Sequence, residues 1–158
     1  MEYLNLSAKV IICTYIELTD TEKMLVDAAK EAALRAYAPY SAFHVGAAVL
    51  LDNGEVVTGN NQENAAFPSG MCAERTTLFY ANSRYPDQTP VLLAVAACTG
   101  GAFVDEPVTP CGGCRQVLLE VENRYQRPLR MVLFGERKVC IVESVKSLLP
   151  LSFDGSLM

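Results

Sequence analysis

Leu92-Leu93-Ala94-Val95-Ala96-Ala97-Cys98 is an unbroken apolar run with no charge and no polar alternation. A strand with one wet face alternates polar and apolar residues. A run that is apolar at every position fits a strand buried on both faces. Helical text lies on either side of it: Cys72–Asn82 upstream and Cys114–Arg124 downstream, with a further buried strand predicted over Arg130–Phe134. Helices that alternate with such strands imply a sheet covered on both faces, which places the chain in the α/β class.

Working outward, Thr19 or Asp20 can cap a helix with Glu22 in its first turn. Met24, Leu25, Ala28, Ala32 and Leu34 recur near helical spacing, and Pro39 ends the run. Val45–Leu51 reads as a strand, Asp52-Asn53-Gly54 as a turn, and Glu55–Gly59 as the returning strand of a hairpin. Val139–Val142 is a candidate strand and Ser144–Leu149 a short closing helix. Residues 1–18 are open between an N-terminal arm and an extra edge strand, so the main domain is placed at 19–158.

The chain has 158 residues, 51% of them hydrophobic, enough for one sizeable core and a single domain. A formal charge of −5 argues against a polynucleotide partner, which requires clustered Lys and Arg. The apolar stretch Val10–Ile16 is too short to span a bilayer, and no small-residue cleavage pattern follows it. The expectation is a cytoplasmic protein without a membrane partner. Six cysteines are too sparse for a disulfide scaffold in a chain of this length. Cys13, Cys98 and Cys140 stand in strand-like text and are expected to be small buried hydrophobes.

The other three cysteines carry chemistry. Cys72-Ala73-Glu74 opens one helix and Pro110-Cys111-Gly112-Gly113-Cys114 opens the next. Helix N-termini favour negative charge, which lowers thiol pKa and eases formation of thiolate ligands. Gly112 and Gly113 are expected to let the backbone turn tightly enough for both thiols to face one ion. Three protein ligands leave a fourth tetrahedral position for water, the mark of a catalytic rather than a structural zinc site. Each half alone has a plainer reading, a redox pair for C-x-x-C and simple capping for C-x-E. His44, the only histidine, lies far upstream beside a strand, so a closed four-ligand site lacks a partner.

Together these motifs resemble the small homotetrameric cytidine deaminases that act on free nucleosides. The resemblance runs from about Tyr37 to Phe153. It rests on P-Y-S-x-F (Pro39–Phe43), V-G-A-A (Val45–Ala48), N-x-E-N-A (Asn61–Ala65), C-A-E-R-T (Cys72–Thr76) and P-C-G-x-C-R-Q-V (Pro110–Val117), with L-L-P and Phe153 near the end. It implies the three-layer α/β/α cytidine deaminase-like fold with a central mixed sheet. It implies one Zn²⁺ per subunit on Cys72, Cys111 and Cys114, with Glu74 moving protons during hydrolysis of cytidine or deoxycytidine to the uridine product and ammonia. Arg75 is implied to draw charge from the thiolates. Asn61 and Glu63, two apart in an extended segment, face one way and are implied to hold the ribose hydroxyls.

Phe43 resembles the aromatic wall of the pyrimidine pocket. The backbone of Ala73 is implied to read the base carbonyl, and the carbonyl of Thr109 to accept the amino group. Tyr40 and Phe153 resemble aromatics that reach a neighbouring subunit's site. His44 stands where proline or a basic residue is common, and it is expected to be an ordinary surface histidine. Two rivals remain open: a deaminase of nucleoside-like drugs of the blasticidin type, and a zinc-stabilised binding module in which Glu74 has no role.

Overall fold

Thr19, not Asp20, caps the first helix. Its hydroxyl accepts from the Glu22 amide at 3.3 Å, and the Glu22 carboxylate returns to the Thr19 amide at 2.9 Å. That reciprocal pair starts helix α1, Asp20–Ala33. The computed structural model describes Met1–Met158 apart from the side chain of Leu157. The buried stripe of α1 is Leu25, Val26, Ala29, Ala32 and Ala33, whereas Met24 and Leu34, expected on that stripe, are exposed.

Strands β1 (Ile11–Cys13), β2 (Phe43–Leu51), β3 (Val56–Asn60), β4 (Pro90–Thr99), β5 (Ala102–Phe103), β6 (Arg130–Phe134) and β7 (Val139–Val142) form one sheet. Their order is β1-β7-β6-β4-β2-β3, with β5 paired to β4. Only β4 and β6 run parallel; every other pairing is antiparallel, so the sheet is mixed. Helix α2 (Ala73–Arg84) links β3 to β4, and α3 (Gly112–Tyr125) lies in the crossover between the parallel pair. The first eighteen residues hold an edge strand at Ile11–Cys13, while residues 1–10 have no regular structure.

The pleat of β4 explains why its run Leu92–Cys98 carries no polar residue. Leu93 and Val95 pack with Ala73, Leu78, Cys114 and Leu118 of α2 and α3. Leu92, Ala94 and Ala96 pack with Leu25, Val26 and Ala29 of α1 on the opposite face. One helix on one face and two on the other make the three layers. The close approach of α1 to β2 depends on Gly46, where an added Cβ would lie 2.0 Å from the Ala29 carbonyl oxygen. Cys98 is buried as expected. Cys13 and Cys140 are half-buried, a correction that follows from their places on the edge strand and its neighbour. The closing helix is a single 3-10 turn at Val145–Leu148.

Glu22 also ties α1 to the sheet. It is 5% exposed; Arg130 of β6 donates to its Oε1 from Nε at 3.0 Å, and a terminal nitrogen of the same guanidinium forms an ion pair with that oxygen at 2.9 Å. Burial pushes the carboxyl up, but the Thr19 and Arg130 donors outweigh it and hold the group below the usual 4.5. A depressed folded-state pKa means that the unfolded chain binds the extra proton. The stabilisation is therefore complete above about 4.5 and is lost as pH falls through the folded value. Urea unfolding followed between pH 7 and pH 3 is expected to show a smaller acid-induced loss of stability in Glu22→Gln than in the parent chain. Equal losses would remove Glu22 from the acid response.

Candidate active site

Cys72 is the N-cap of α2, and Cys111 is the N-cap of α3. Neither thiol is spent on capping its own helix, so both are free to turn toward a shared point. Cys114 follows Cys111 by three positions inside α3, and residues so spaced are neighbours on a helix surface. This spacing corrects the expected role of the glycines. Gly112 and Gly113 lie within the helix, neither has a positive φ, and an added Cβ on either would meet nothing within 4 Å.

The three Sγ atoms lie within 4.8 Å of one another, and those of Cys72 and Cys111 are 3.9 Å apart. Zinc–sulfur bonds of about 2.3 Å at a tetrahedral angle place two sulfurs about 3.8 Å apart. The trio thus fits a zinc ion in both donor type and spacing. Among the described residues no fourth His, Cys, Asp or Glu joins the cluster, so the protein supplies an open site.

The surroundings set the charge. Cys72 is held down to about 5, first by the Cys114 thiol that donates to it, then, against burial, by the Arg75 guanidinium. Cys114 is pushed well up because it keeps its proton as that donor, within a buried setting beside Glu74. A terminal nitrogen of Arg75 donates to Cys72 Sγ at 3.5 Å, and the buried Nε has no hydrogen-bond partner. An orphaned cationic donor facing a thiol cluster is what a set of three thiolates around a dication would use. Glu74, the second residue of α2, is 5% exposed, and burial raises its carboxyl above the ordinary range, with the Cys72 charge adding to the shift.

These groups border a cavity of about 290 Å³. Its lining includes Cys72, Ala73, Glu74, Thr109 and Cys111 together with Phe43, Asn61 and Glu63. The volume lies at the lower end of the range for small-molecule sites. Asn61 and Glu63 both reach the 40–45 segment, but each is engaged by the protein itself. Asn61 Oδ1 accepts from the Val45 amide at 2.7 Å, and its Nδ2 donates to the Phe43 carbonyl at 2.9 Å. The Glu63 carboxylate accepts from Ser41 Oγ and from the Tyr40 amide at 2.8 Å, and these bonds hold it below the usual carboxylate value.

Ser41 also lines the cavity. It was visible in P-Y-S-x-F only as a motif letter, because nothing local marks a serine as the partner of a carboxylate 22 positions away. Tyr40 and Phe153 lie outside the cavity lining, 54% and 70% exposed. His44 borders a separate depression with Leu34, Ala42 and Cys98, away from the thiols.

An open three-thiol centre at two helix starts, with a buried carboxylate beside it in an α/β/α frame, defines a zinc hydrolase. Residues 19–126 match the family model described as the cytidine and deoxycytidylate deaminase zinc-binding region. The chain is 46% identical to a cytidine deaminase of Halalkalibacterium halodurans over 99 residues, which cover 63% of this chain and 70% of that one. It is 43% identical to a cytidine deaminase of Sporosarcina psychrophila over 104 residues, covering 66% and 71%. The solved cytidine deaminase of Burkholderia pseudomallei superposes with a TM-score of 0.71 at 39% identity, covering 86% of this chain and all of that one. The chain belongs to the zinc-dependent cytidine and deoxycytidylate deaminase family.

The asymmetry of the thiols is measurable. In reduced, metal-free protein, Cys72 is expected to alkylate with iodoacetamide with a pH midpoint near 5. Arg75→Gln removes one of the donors that favour the thiolate, so its midpoint should move upward. Peptide mapping of the labelled protein across pH checks both. An unchanged midpoint would mean that Arg75 does not bear on the thiolate.

Proposed function

We propose that this enzyme hydrolyses cytidine and deoxycytidine to uridine and deoxyuridine with release of ammonia, a step of pyrimidine salvage in the cytoplasm. The observation that carries the reading is the placement of Glu74: a buried carboxylate beside three thiols, in a cavity bordered by Phe43, Asn61 and Glu63. Cys72, Cys111 and Cys114 would hold one Zn²⁺, whose Lewis acidity makes water a nucleophile near neutral pH when the ion is bound.

Glu74 then has the proton work. In its ionised form it accepts one proton from water and delivers it to ring N3. As the C4–N bond breaks and the carbonyl forms, it takes the remaining proton of the added hydroxyl and passes it to the departing amine. Its burial raises the carboxyl pKa, which makes the protonated form a competent donor in the later steps. Phe43 would pack on the pyrimidine face, the Ala73 backbone would read the base carbonyl, and the Thr109 carbonyl would accept the amino group.

Asn61 and Glu63 are the proposed ribose contacts. Ser41 and the Val45 and Phe43 backbone keep both side chains in place for that use. A phosphate near Glu63 would be repelled, which favours a free nucleoside over a nucleotide. The net charge of −5 speaks against a polynucleotide, and no helix is long and apolar enough to cross a membrane. Tyr40 and Phe153 are exposed, which leaves them available to approach a neighbour's cavity in a homotetramer. In this reading the deaminase domain is 19–158, and residues 1–18 are an addition to it.

Ammonia release over cytidine, deoxycytidine, cytidine monophosphate and blasticidin S tests the substrate. The two nucleosides are expected to turn over and the monophosphate is not. Preference for blasticidin S would replace this reading with that of a drug deaminase. Glu74→Gln should keep its zinc, measured by atomic emission, while kcat falls by at least about a hundredfold. Bound zinc with no nucleoside turnover in the parent chain would instead support a binding module.

A further inference from the structure

Arg115 follows the second cysteine of α3 directly, yet its bonds converge on the first. Its backbone N–H donates to the Cys111 carbonyl at 2.9 Å. Its Nε–H donates to the Pro110 carbonyl at 2.8 Å. One residue therefore holds the peptide planes on both sides of Cys111, which stands at φ −66° and ψ 167°. Cys111 has need of such support, because it is the exposed member of the thiol trio and its side chain makes no capping bond.

The remaining bond leads away from the site. A terminal nitrogen of Arg115 donates to the Leu148 carbonyl at 2.9 Å, in the 3-10 turn after β7. The next residue grips the same segment further along, where Gln116 Nε2 donates to the Phe153 carbonyl at 3.0 Å. Among the described residues no ion pair includes Arg115. Its guanidinium is spent on two main-chain oxygens, one beside a thiol and one in the C-terminal segment.

We propose that Arg115 is a positioning residue that couples docking of the C-terminal segment to retention of the metal at Cys111. The inference rests on the zinc reading of the trio. Rotation of the Pro110–Cys111 peptide carries the Cys111 thiol away from its place 3.9 Å from Cys72 Sγ, and Arg115 is the group that resists that rotation. Loss of such an outer support costs a metal site roughly 10- to 100-fold in affinity or activity. A C-terminal segment held by Leu148 and Phe153 braces the guanidinium in turn, so movement of that segment is felt at the ligand.

The test uses zinc-loaded enzyme and the rate of zinc release to excess 4-(2-pyridylazo)resorcinol. Arg115→Gln is expected to release zinc about 10- to 100-fold faster, with Arg115→Lys intermediate because an ammonium can reach one carbonyl. A chain ending at Lys146, which lacks the Leu148 carbonyl, should also release zinc faster. Adding Arg115→Gln to that shortened chain should have less effect than in the full chain, since both changes break one linkage. Metal-free melting temperatures should stay close to the parent value. Release at the parent rate in Arg115→Gln overturns the proposal, as do fully multiplicative effects of the two changes. Faster release accompanied by an equal loss of metal-free stability overturns it too. If Arg115→Gln does not fold, Arg115→Lys and the shortened chain make the same comparison. A parent chain purified without stoichiometric zinc overturns the metal reading itself, a result distinct from zinc that is bound and released equally.

Discussion

Three sulfurs within 4.8 Å of one another are an electrostatic problem before they are a metal site. Without an ion they share protons unevenly. Cys72 gives up its proton easily and Cys114 keeps its own, because one thiolate stabilised by a donor makes a second thiolate beside it costly. The molecule offsets that cost with positive ends. Two helices begin at the cluster, with Cys72 and Cys111 as their N-caps, and Arg75 presents a guanidinium with a buried, unpartnered Nε. A dication removes the remaining conflict, so the protein's own charge arrangement already asks for one.

The sheet exists in the form that makes this convergence possible. Helices α2 and α3 share one face, packing Leu78 and Leu118 against Leu93, Val95 and Leu133. Cys114 is part of that core and fully buried, so a metal ligand is also a packing residue and cannot drift. Glu74 gains its raised carboxyl from the same burial. The opposite face, closed by α1 over Gly46, has no site residue on it and gives the sheet the rigidity that the thiol spacing requires.

Much of this was legible in the residues because it rests on local rules. Caps, turns and the apolar β4 run announce themselves within a few positions, and the thiols at helix starts follow from Cys72 and Cys111 standing immediately before helical text. The misreadings have separate causes. Gly112 and Gly113 suggested a special turn, but an N-cap residue and the residue three further on already lie side by side on any helix. Met24 and Leu34 matched the helical period and are nevertheless exposed, since periodicity does not say how wide the covered face is. Cys13 and Cys140 are half-buried because strand order, which decides edge and centre, is not a local property. Ser41 escapes local reading because its partner lies 22 positions away, and Arg115 because one of its two side-chain acceptors, Leu148, lies 33 positions away.

That last class of residue separates a motif from a site. In the proposed reading the cysteines and Glu74 carry the chemistry on their side chains, and any short pattern can display them. Their spacing is a property of backbone planes, and those planes are held by other side chains and by main-chain bonds. Glu63 is aimed by Ser41 and by the Tyr40 amide, Asn61 by the backbone on both sides of His44, and Cys111 by Arg115. In each case a polar side chain is bonded to main chain or to a neighbouring polar group, which fixes its direction without consuming a charge partner. A sequence that kept C-A-E-R and P-C-x-x-C but lost these supports would retain the ligand set and lose the geometry. The functional unit is therefore larger than its motifs, and it extends to the C-terminal segment that Arg115 and Gln116 hold.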